Sequence, residues 1–461
     1  MPTNRLDRLH LKTPTDNRNN FEIDRDRILY SSALRRLAGV TQVVSAMEGR
    51  TFHNRLTHSL KVAQIGQRLA EKLGRDAQRL ASESGIELKD GTPSGLHLDS
   101  SVVEAAALAH DLGHPPFGHA AEAVLQGRMN DLGFKDSFEG NAQSFRIVTR
   151  LSVARLEHPG IDLTRATKNA ILKYPWLRDE TDPKKSKKWG SYRSEWADFK
   201  HARQLMGPGE PELGRAGQSL EAAIMDWADD ITYAVHDVED LYRARLVPLA
   251  LLASSDEDLD EFAEWVCRRW NAQGDNVDLG GIRFALGVIE ETFAPAGPRA
   301  TARERKVALK SFVSVLVNRY IQNTQIKVTG SSTDKPTWEL SIPPEIRLEV
   351  KALKELTWRY LIADPSLASQ QHGQAAVISA LFDIFMESLD RSSPRGRYVI
   401  LPEWVRDEIE DLDNRGTLSE ETRARVVCDA ICSLTDEEAL RLHARLVGCH
   451  VGTIYDAVAN F

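Results

Sequence analysis

Apolar residues recur at three- and four-residue intervals along most of this chain, the period of helices that bury one face. In "THSLKVAQIGQRLAEKLG" the side chains of His58, Val62, Ile65 and Leu69 fall on one stripe, and Gly74 is placed to end the helix. "SSVVEAAALAHDLG" predicts a second helix, with Ser101 and Glu104 at capping-box spacing. A third is predicted over residues 219–246, "SLEAAIMDWADDITYAVHDVEDLYRARL", capped by Ser219 and closed before Pro248. Strand-like runs are confined to "IKVTG" and "WELSI" around "SSTDKP", which predict one small hairpin. Residues 81–100 and 181–217 are rich in Gly, Pro, Ser and charge and read as loops. The fold class is therefore mainly α. The pattern divides into a loose, flexible N-terminal arm (1–20), a helical core (21–250), a helical lobe carrying the hairpin (251–400) and C-terminal helices (401–461).

One helix ends in unusual chemistry. "ALAHDLGHPPFGHAAE", residues 107–122, opens apolar and closes with three histidines, two carboxylates and a Pro-Pro break. Pro115 disfavours helical geometry at His114, so the helix carrying His110 and Asp111 should end about there. A new helix then starts near His119, with Glu122 three residues on and on the same face. Titratable groups inside an apolar frame are costly unless paired or bound to a cation, and a metal would explain their concentration. A lone His-Asp pair carries little weight, since His236-Asp237 is a second one in the same chain. A divalent first-row ion needs about four ligands of mixed nitrogen and oxygen type. His58 and an acid from "MDWADDITYAVHDVED" are the available partners. On that helix Asp226, Asp229, Tyr233, His236, Asp237 and Asp240 form a polar stripe at three- and four-residue steps. Taken singly, each feature has an ordinary explanation: a hydrogen-bonded core histidine, a solvated acidic face, an i,i+3 surface pair. Together they require all these coincidences at once.

Composition narrows the class. At 461 residues the chain can bury a large core, and 42% hydrophobic and 27% charged residues with a net charge of −8 are ordinary for a soluble protein. That charge argues against a general nucleic-acid coat, although a local contact with single-stranded nucleic acid stays open. The four cysteines, Cys267, Cys428, Cys432 and Cys449, contain no CxxC pair and read as buried reduced thiols. The absence of an apolar leader or an 18-residue apolar run makes a cytoplasmic location, away from membranes, the expectation.

The motifs reach a known family. "RDRILYSSALRRLAGVTQVV", "HNRLTHSLKVAQIG", "AALAHDLGHPPFGHAAE", "FEGNAQSFRIV", "LKYPW", "KKWGSY", "MDWADDITYAVHDVED" and "VKALKELTWRYLI" resemble the HD-domain deoxynucleoside triphosphate triphosphohydrolases, in their bacterial dGTPase-like branch, over most of residues 22–363. The C-terminal helix departs from the pattern: Cys-Ser-Leu-Thr-Asp stands where the family has Ala-Gly-Met-Thr-Asp, a change that bears on C-terminal packing or oligomer contacts and not on the metal site. The resemblance implies an HD-domain helical core and one divalent metal (Mn, Fe, Co, Ni, Zn or Mg) held by His58, His110, Asp111 and Asp229. It implies water attack at the α-phosphate of a dNTP, dGTP or others, releasing deoxynucleoside and inorganic triphosphate. His119 matches the catalytic histidine, with Glu122 orienting and charging it. Arg55 matches a phosphate-binding position and His114 a substrate-facing one. Tyr233 matches the residue that packs on the deoxyribose, and Asp237 and Gln42 match residues at the 3′-hydroxyl. Within "DPKKSKKWGSY" a phosphate contact is expected from Lys184, Lys185, Lys187 or Lys188, without a choice among them. Related enzymes form homo-oligomers and take dNTPs as allosteric activators, so both are expected of this chain. Two other readings stand beside this one. They are an HD phosphohydrolase acting on a monophosphate or cyclic dinucleotide, and a non-catalytic nucleotide sensor or nucleic-acid binder.

Overall fold

The computed structural model describes residues 4–10, 17–42, 52–206, 217–297, 299–329, 336–389 and 400–449. Among these the chain forms eighteen α-helices and two small two-stranded antiparallel sheets, a mainly α fold. The expected hairpin pairs Gln325–Thr329 with Thr337–Ser341; most of its turn, 330–335, lies outside the described residues. A second, two-residue pairing, Leu88–Lys89 with Thr92–Pro93, sits in the stretch read as loop. No helix among the described residues is long and apolar enough to cross a membrane.

The chain divides into two compact units, each gathered from separate stretches. The first comprises Met1–Leu60, Ala105–Ala222 and Ala368–Phe461, and the second Lys61–Glu104 and Ala223–Leu367. In the first, the His119–Asp131 helix buries Leu125 and Met129 against Phe138, Phe385, Val427 and Ile431. The N-terminal residues 4–10, expected to be loose, are held there. Arg8 pairs with Asp24 at 2.6 Å with both side chains fully buried, and Arg5 meets Glu221 at 2.6 Å. In the second unit, Gly66 lets a helix approach closely: a Cβ there would lie 3.0 Å from Val103 and 3.6 Å from Ala228.

Helix ends correct three expectations. The Arg55–Glu83 helix runs straight through Gly74, which tolerates the interior at a cost of about 1 kcal/mol relative to alanine. The helix Ser100–Ala109 is capped by Asp99, whose Oδ1 accepts from Ser101 N at 2.8 Å, and not by Ser101. The stretch 181–217 contains a helix, Trp196–Arg203, because Phe199 and Ala202 find burial that charge content concealed. Ser219 does cap its helix, accepting from Ala222 N at 3.1 Å. The cysteines are free thiols; Cys428 and Cys432 are buried, Cys267 is half-buried and Cys449 is exposed.

Candidate active site

The site begins with a cap. Asn54 and Thr57 satisfy each other reciprocally, Thr57 N donating to Asn54 Oδ1 at 2.9 Å and Asn54 N to Thr57 Oγ1 at 3.1 Å. This fixes the first turn of the Arg55–Glu83 helix and so the directions of Arg55 and His58. The Ser100–Ala109 helix stops one residue before His110. His110 Nδ1 lies 2.6 Å from Ala107 O, the second bond that orients an imidazole, and Nε2 turns to within 3.5 Å of Asp111 Oδ1. Asp111 Oδ2 accepts from Arg55 Nη1 at 2.8 Å, and its Oδ1 lies 3.1 Å from His114 Nδ1. One ligand atom each from His58, His110 and Asp111 lies within 4.8 Å of the other two, all three residues being buried. Burial acts to raise the Asp111 carboxyl, yet His110, Arg55 and His114 hold it well below the usual carboxylate range. Two imidazoles and an ionised carboxylate, all buried and converging, are the donor set of a borderline divalent cation, so these residues fit one.

A second cluster adjoins the first. His114, His119 and Glu122 also bring one donor atom each within 4.8 Å, and the His114 and His119 rings meet edge-on at 5.6 Å. His119 is the first residue of the His119–Asp131 helix and is exposed as a whole residue, while Glu122 is buried. Desolvation, His114 and Arg55 bring the His119 imidazole down to about 4, and its place at a helix N-terminus works in the same direction. Burial acts to raise Glu122, but Lys188, His114 and His119 outweigh it and hold the carboxyl down to about 2. The pair is therefore a neutral imidazole beside a carboxylate at neutral pH.

The turn between the clusters is fixed from outside. Phe117 and Gly118 both adopt left-handed backbone, φ 64° and 60°. Phe117 N donates to Asp436 Oδ1 at 2.8 Å, and Asp436 Oδ2 accepts from both the backbone and the hydroxyl of Thr41. Arg36, buried and lowered to about 10 by desolvation, donates to Leu112 O and His114 O at 2.8 Å and to Leu434 O at 2.9 Å. The altered C-terminal motif thus still packs: Leu434 and Cys432 lie in the core and Asp436 grips the turn. Gly113 permits a close approach, since a Cβ there would lie 2.2 Å from Ser144 N and 2.3 Å from Gly140 O.

Arg55, expected at phosphate, is fully buried and bonded to Asp111. Gln42 is buried, and neither amide atom has a hydrogen-bond partner among the described residues. Asp229, Tyr233 and Asp237 belong to the second unit and follow one another along a single face of the Leu220–Arg243 helix. Asp229 and Asp237 are buried and Tyr233 is half-buried, with Lys354 Nζ 5.5 Å from its ring centre. Burial, with Asp240 and Asp229 beside it, pushes the Asp237 carboxyl well above the usual range against the pull of Lys354 and Lys61. The second His-Asp pair does different work: His236 Nδ1 lies 2.9 Å from Lys61 Nζ. Sequence reasoning passed over Glu139, inside "FEGNAQ", and Asp436, whose burial no local pattern announces.

Comparison with known proteins agrees with this geometry. Residues 55–234 match the HD domain and 340–445 the phosphohydrolase-associated domain. A deoxyguanosinetriphosphate triphosphohydrolase-like protein of Streptomyces coelicolor is 36% identical, covering 94% of this chain and 93% of its own. The chain belongs to this HD-domain family. Like-named proteins of Corynebacterium efficiens (35% identical, 94% and 95% covered) and Bifidobacterium longum (33%, 93% and 83%) are similarly close. The first match spans the His58–His110–Asp111 cluster, a group of residues that could hold a metal ion.

Proposed function

We propose that this HD phosphohydrolase cleaves 2′-deoxynucleoside 5′-triphosphates, dGTP among them, at the α-phosphate, giving deoxynucleoside and inorganic triphosphate. The observation that carries the reading is the junction of two clusters in one turn: a cation-type His58–His110–Asp111 set beside a neutral-imidazole–carboxylate pair, His119 and Glu122. His58, His110, Asp111 and Asp229 would hold one divalent ion, which supplies Lewis-acid polarisation of a phosphoryl oxygen and of water. Arg55 holds Asp111 ionised and aligned. His119, neutral at working pH, can take a proton from water or, once protonated, give one to the 5′-oxygen, and Glu122 stabilises the charged form. Tyr233 stands four residues beyond Asp229 and Asp237 eight, so they lie about 6 and 12 Å along one helix face, the reach of a deoxyribose beyond its phosphates. The names of the relatives support the substrate class.

Product analysis tests the reading. Incubation of metal-loaded protein with each dNTP and with their mixture should yield triphosphate and deoxynucleoside; a monophosphate or free phosphate product would refute it, and silence on all would favour a sensor. His110→Ala and Asp229→Ala should lose both metal and turnover, whereas His119→Ala keeps metal and dNTP binding while losing most activity. Full metal content in Asp229→Ala would move the fourth ligand to Asp226 or Asp230.

A further inference from the structure

Of the four lysines in "DPKKSKKWGSY", one is built into the site. Lys188 Nζ lies 2.7 Å from Glu122 Oε1 and 2.9 Å from Glu139 Oε1. Two of the others show different contacts: Lys184 sits 5.3 Å from the Trp176 ring centre, and Lys185 lies 3.9 Å from Asp182. The backbone around Lys188 is pinned. Its carbonyl accepts from Trp176 Nε1 at 2.7 Å, Trp189 is fully buried, and Gly190 N donates to Trp176 O at 3.0 Å. A Cβ at Gly190 would lie 2.1 Å from Tyr174 O, so this strand of loop has one seat.

Glu139 is an equally fixed anchor. Fully buried, it caps the Gly140–Arg146 helix, Oε2 accepting from Asn141 N at 2.6 Å and Ala142 N at 3.0 Å. Glu122 Oε1 accepts in addition from Gly140 N at 3.3 Å. Two carboxylates thus share one ammonium, and without it they would repel each other in a poorly solvated place. Both clamp contacts of Glu122 fall on Oε1, which leaves the second oxygen uncommitted to the clamp. The His114–His119–Glu122 cluster has the spacing of a cation site, and the cation beside it is the ammonium of Lys188.

We propose that Lys188 is the positioning residue of the His119–Glu122 pair, bridging Glu122 to the immobile Glu139 so that the carboxylate stays ionised and correctly turned beside His119. The inference rests on reading His119 and Glu122 as the proton-handling pair. It assigns Lys188 a task different from gripping substrate phosphate. Charges bear on the pair from every side: His114 and Arg55 on His119, His114 on Glu122, and Glu139 and Lys188 from the capping helix and the loop. Lys188 opposes protonation of both His119 and Glu122, and the two carboxylates in turn hold its own ammonium well above the ordinary lysine range.

The test uses full-length protein loaded with a diamagnetic divalent ion, in wild-type, Lys188→Met, Lys188→Gln and Lys188→Arg forms. The imidazole of His119 is titrated by NMR without substrate, and kcat and KM for dGTP are measured across pH. In Lys188→Met and Lys188→Gln the His119 titration should rise by about one pH unit. In the same two variants kcat should fall about 10–100-fold with KM within threefold of wild type. Lys188→Arg should restore the titration and most of kcat. An unchanged His119 titration in both neutral variants, or a loss confined to KM, would overturn the proposal and make Lys188 a phosphate ligand or a bystander. Its failure is separable from failure of the underlying reading. Full turnover by His119→Ala would remove the proton-handling pair itself, whereas the substrate-free titration reports the Lys188 link whatever the reaction.

Discussion

Replacing Asp436 with alanine should loosen the active-site turn from 319 residues away in the chain. The carboxylate is fully buried and accepts three bonds: Phe117 N at 2.8 Å, Thr41 N at 3.1 Å and the Thr41 hydroxyl. Removing it strands two backbone donors and one hydroxyl, each costing about 1–3 kcal/mol when buried and unmade. Burial outweighs these bonds and raises the Asp436 carboxyl above its ordinary value, so part of their strength already offsets desolvation. The net expectation is a loss of about 3–4 kcal/mol, a large share of the roughly 5–15 kcal/mol typical of a folded protein. Phe117 is released at the same time from a left-handed backbone that a non-glycine residue adopts at a cost of about 1 kcal/mol or more. Its turn should relax and carry His119, two residues on, out of register. Urea unfolding of metal-loaded wild type and Asp436→Ala gives the stability difference, and kcat measured well below the midpoint gives the local effect. Asp436→Asn keeps one acceptor oxygen and should fall between the two. A stability change under about 1 kcal/mol, or wild-type kcat in Asp436→Ala, would refute the claim that this carboxylate holds the turn.

Three other outcomes are expected. Gly113→Ala should cost more than about 3 kcal/mol or abolish folding, because its Cβ would overlap the backbone atoms Ser144 N and Gly140 O, which no rotamer change can relieve; thermal melts decide this. Glu122, held down to about 2 from an ordinary 4.5, contributes stability that is full above pH 4.5 and lost as pH falls toward 2, about 3 kcal/mol in all. Chemical denaturation from pH 6 to 2 should show that slope in wild type and a weaker one in Lys188→Met; equal slopes would count against the ion pair. Tyr233→Ala should relax discrimination against ribonucleotides, and Asp237→Ala should narrow the rate gap between dNTPs and dideoxy analogues, since a site that bonds a hydroxyl rejects its absence strongly. Equal wild-type rates on GTP and dGTP would remove the sugar assignment while leaving the metal assignment intact.

Much of this molecule is written in local pattern. The 3.6-residue period marked the helical class, because it acts through backbone geometry within a few residues, whereas the helix expected to carry His110 and Asp111 as far as His114 ends earlier, at Ala109. The spacing from Asp229 to Tyr233 and Asp237 put three functional candidates on one helix face for the same reason. Local signals misled where a neighbour offered something better: Gly74 passed as a stop, and Asp99 took the cap that Ser101 promised. What the tertiary structure decided are the pairings between distant charges. Arg55 is one more cation in the sequence, and only packing brings it to the Asp111 carboxylate. Four lysines in one loop are alike in sequence; only the fixed seats of Trp189 and Gly190, and the approach of Glu122 and Glu139, single out Lys188. Periodicity records which face a residue occupies, whereas the partner across that face is set by how helices far apart in the chain pack, where a buried charge must find its counter-charge or not be buried at all.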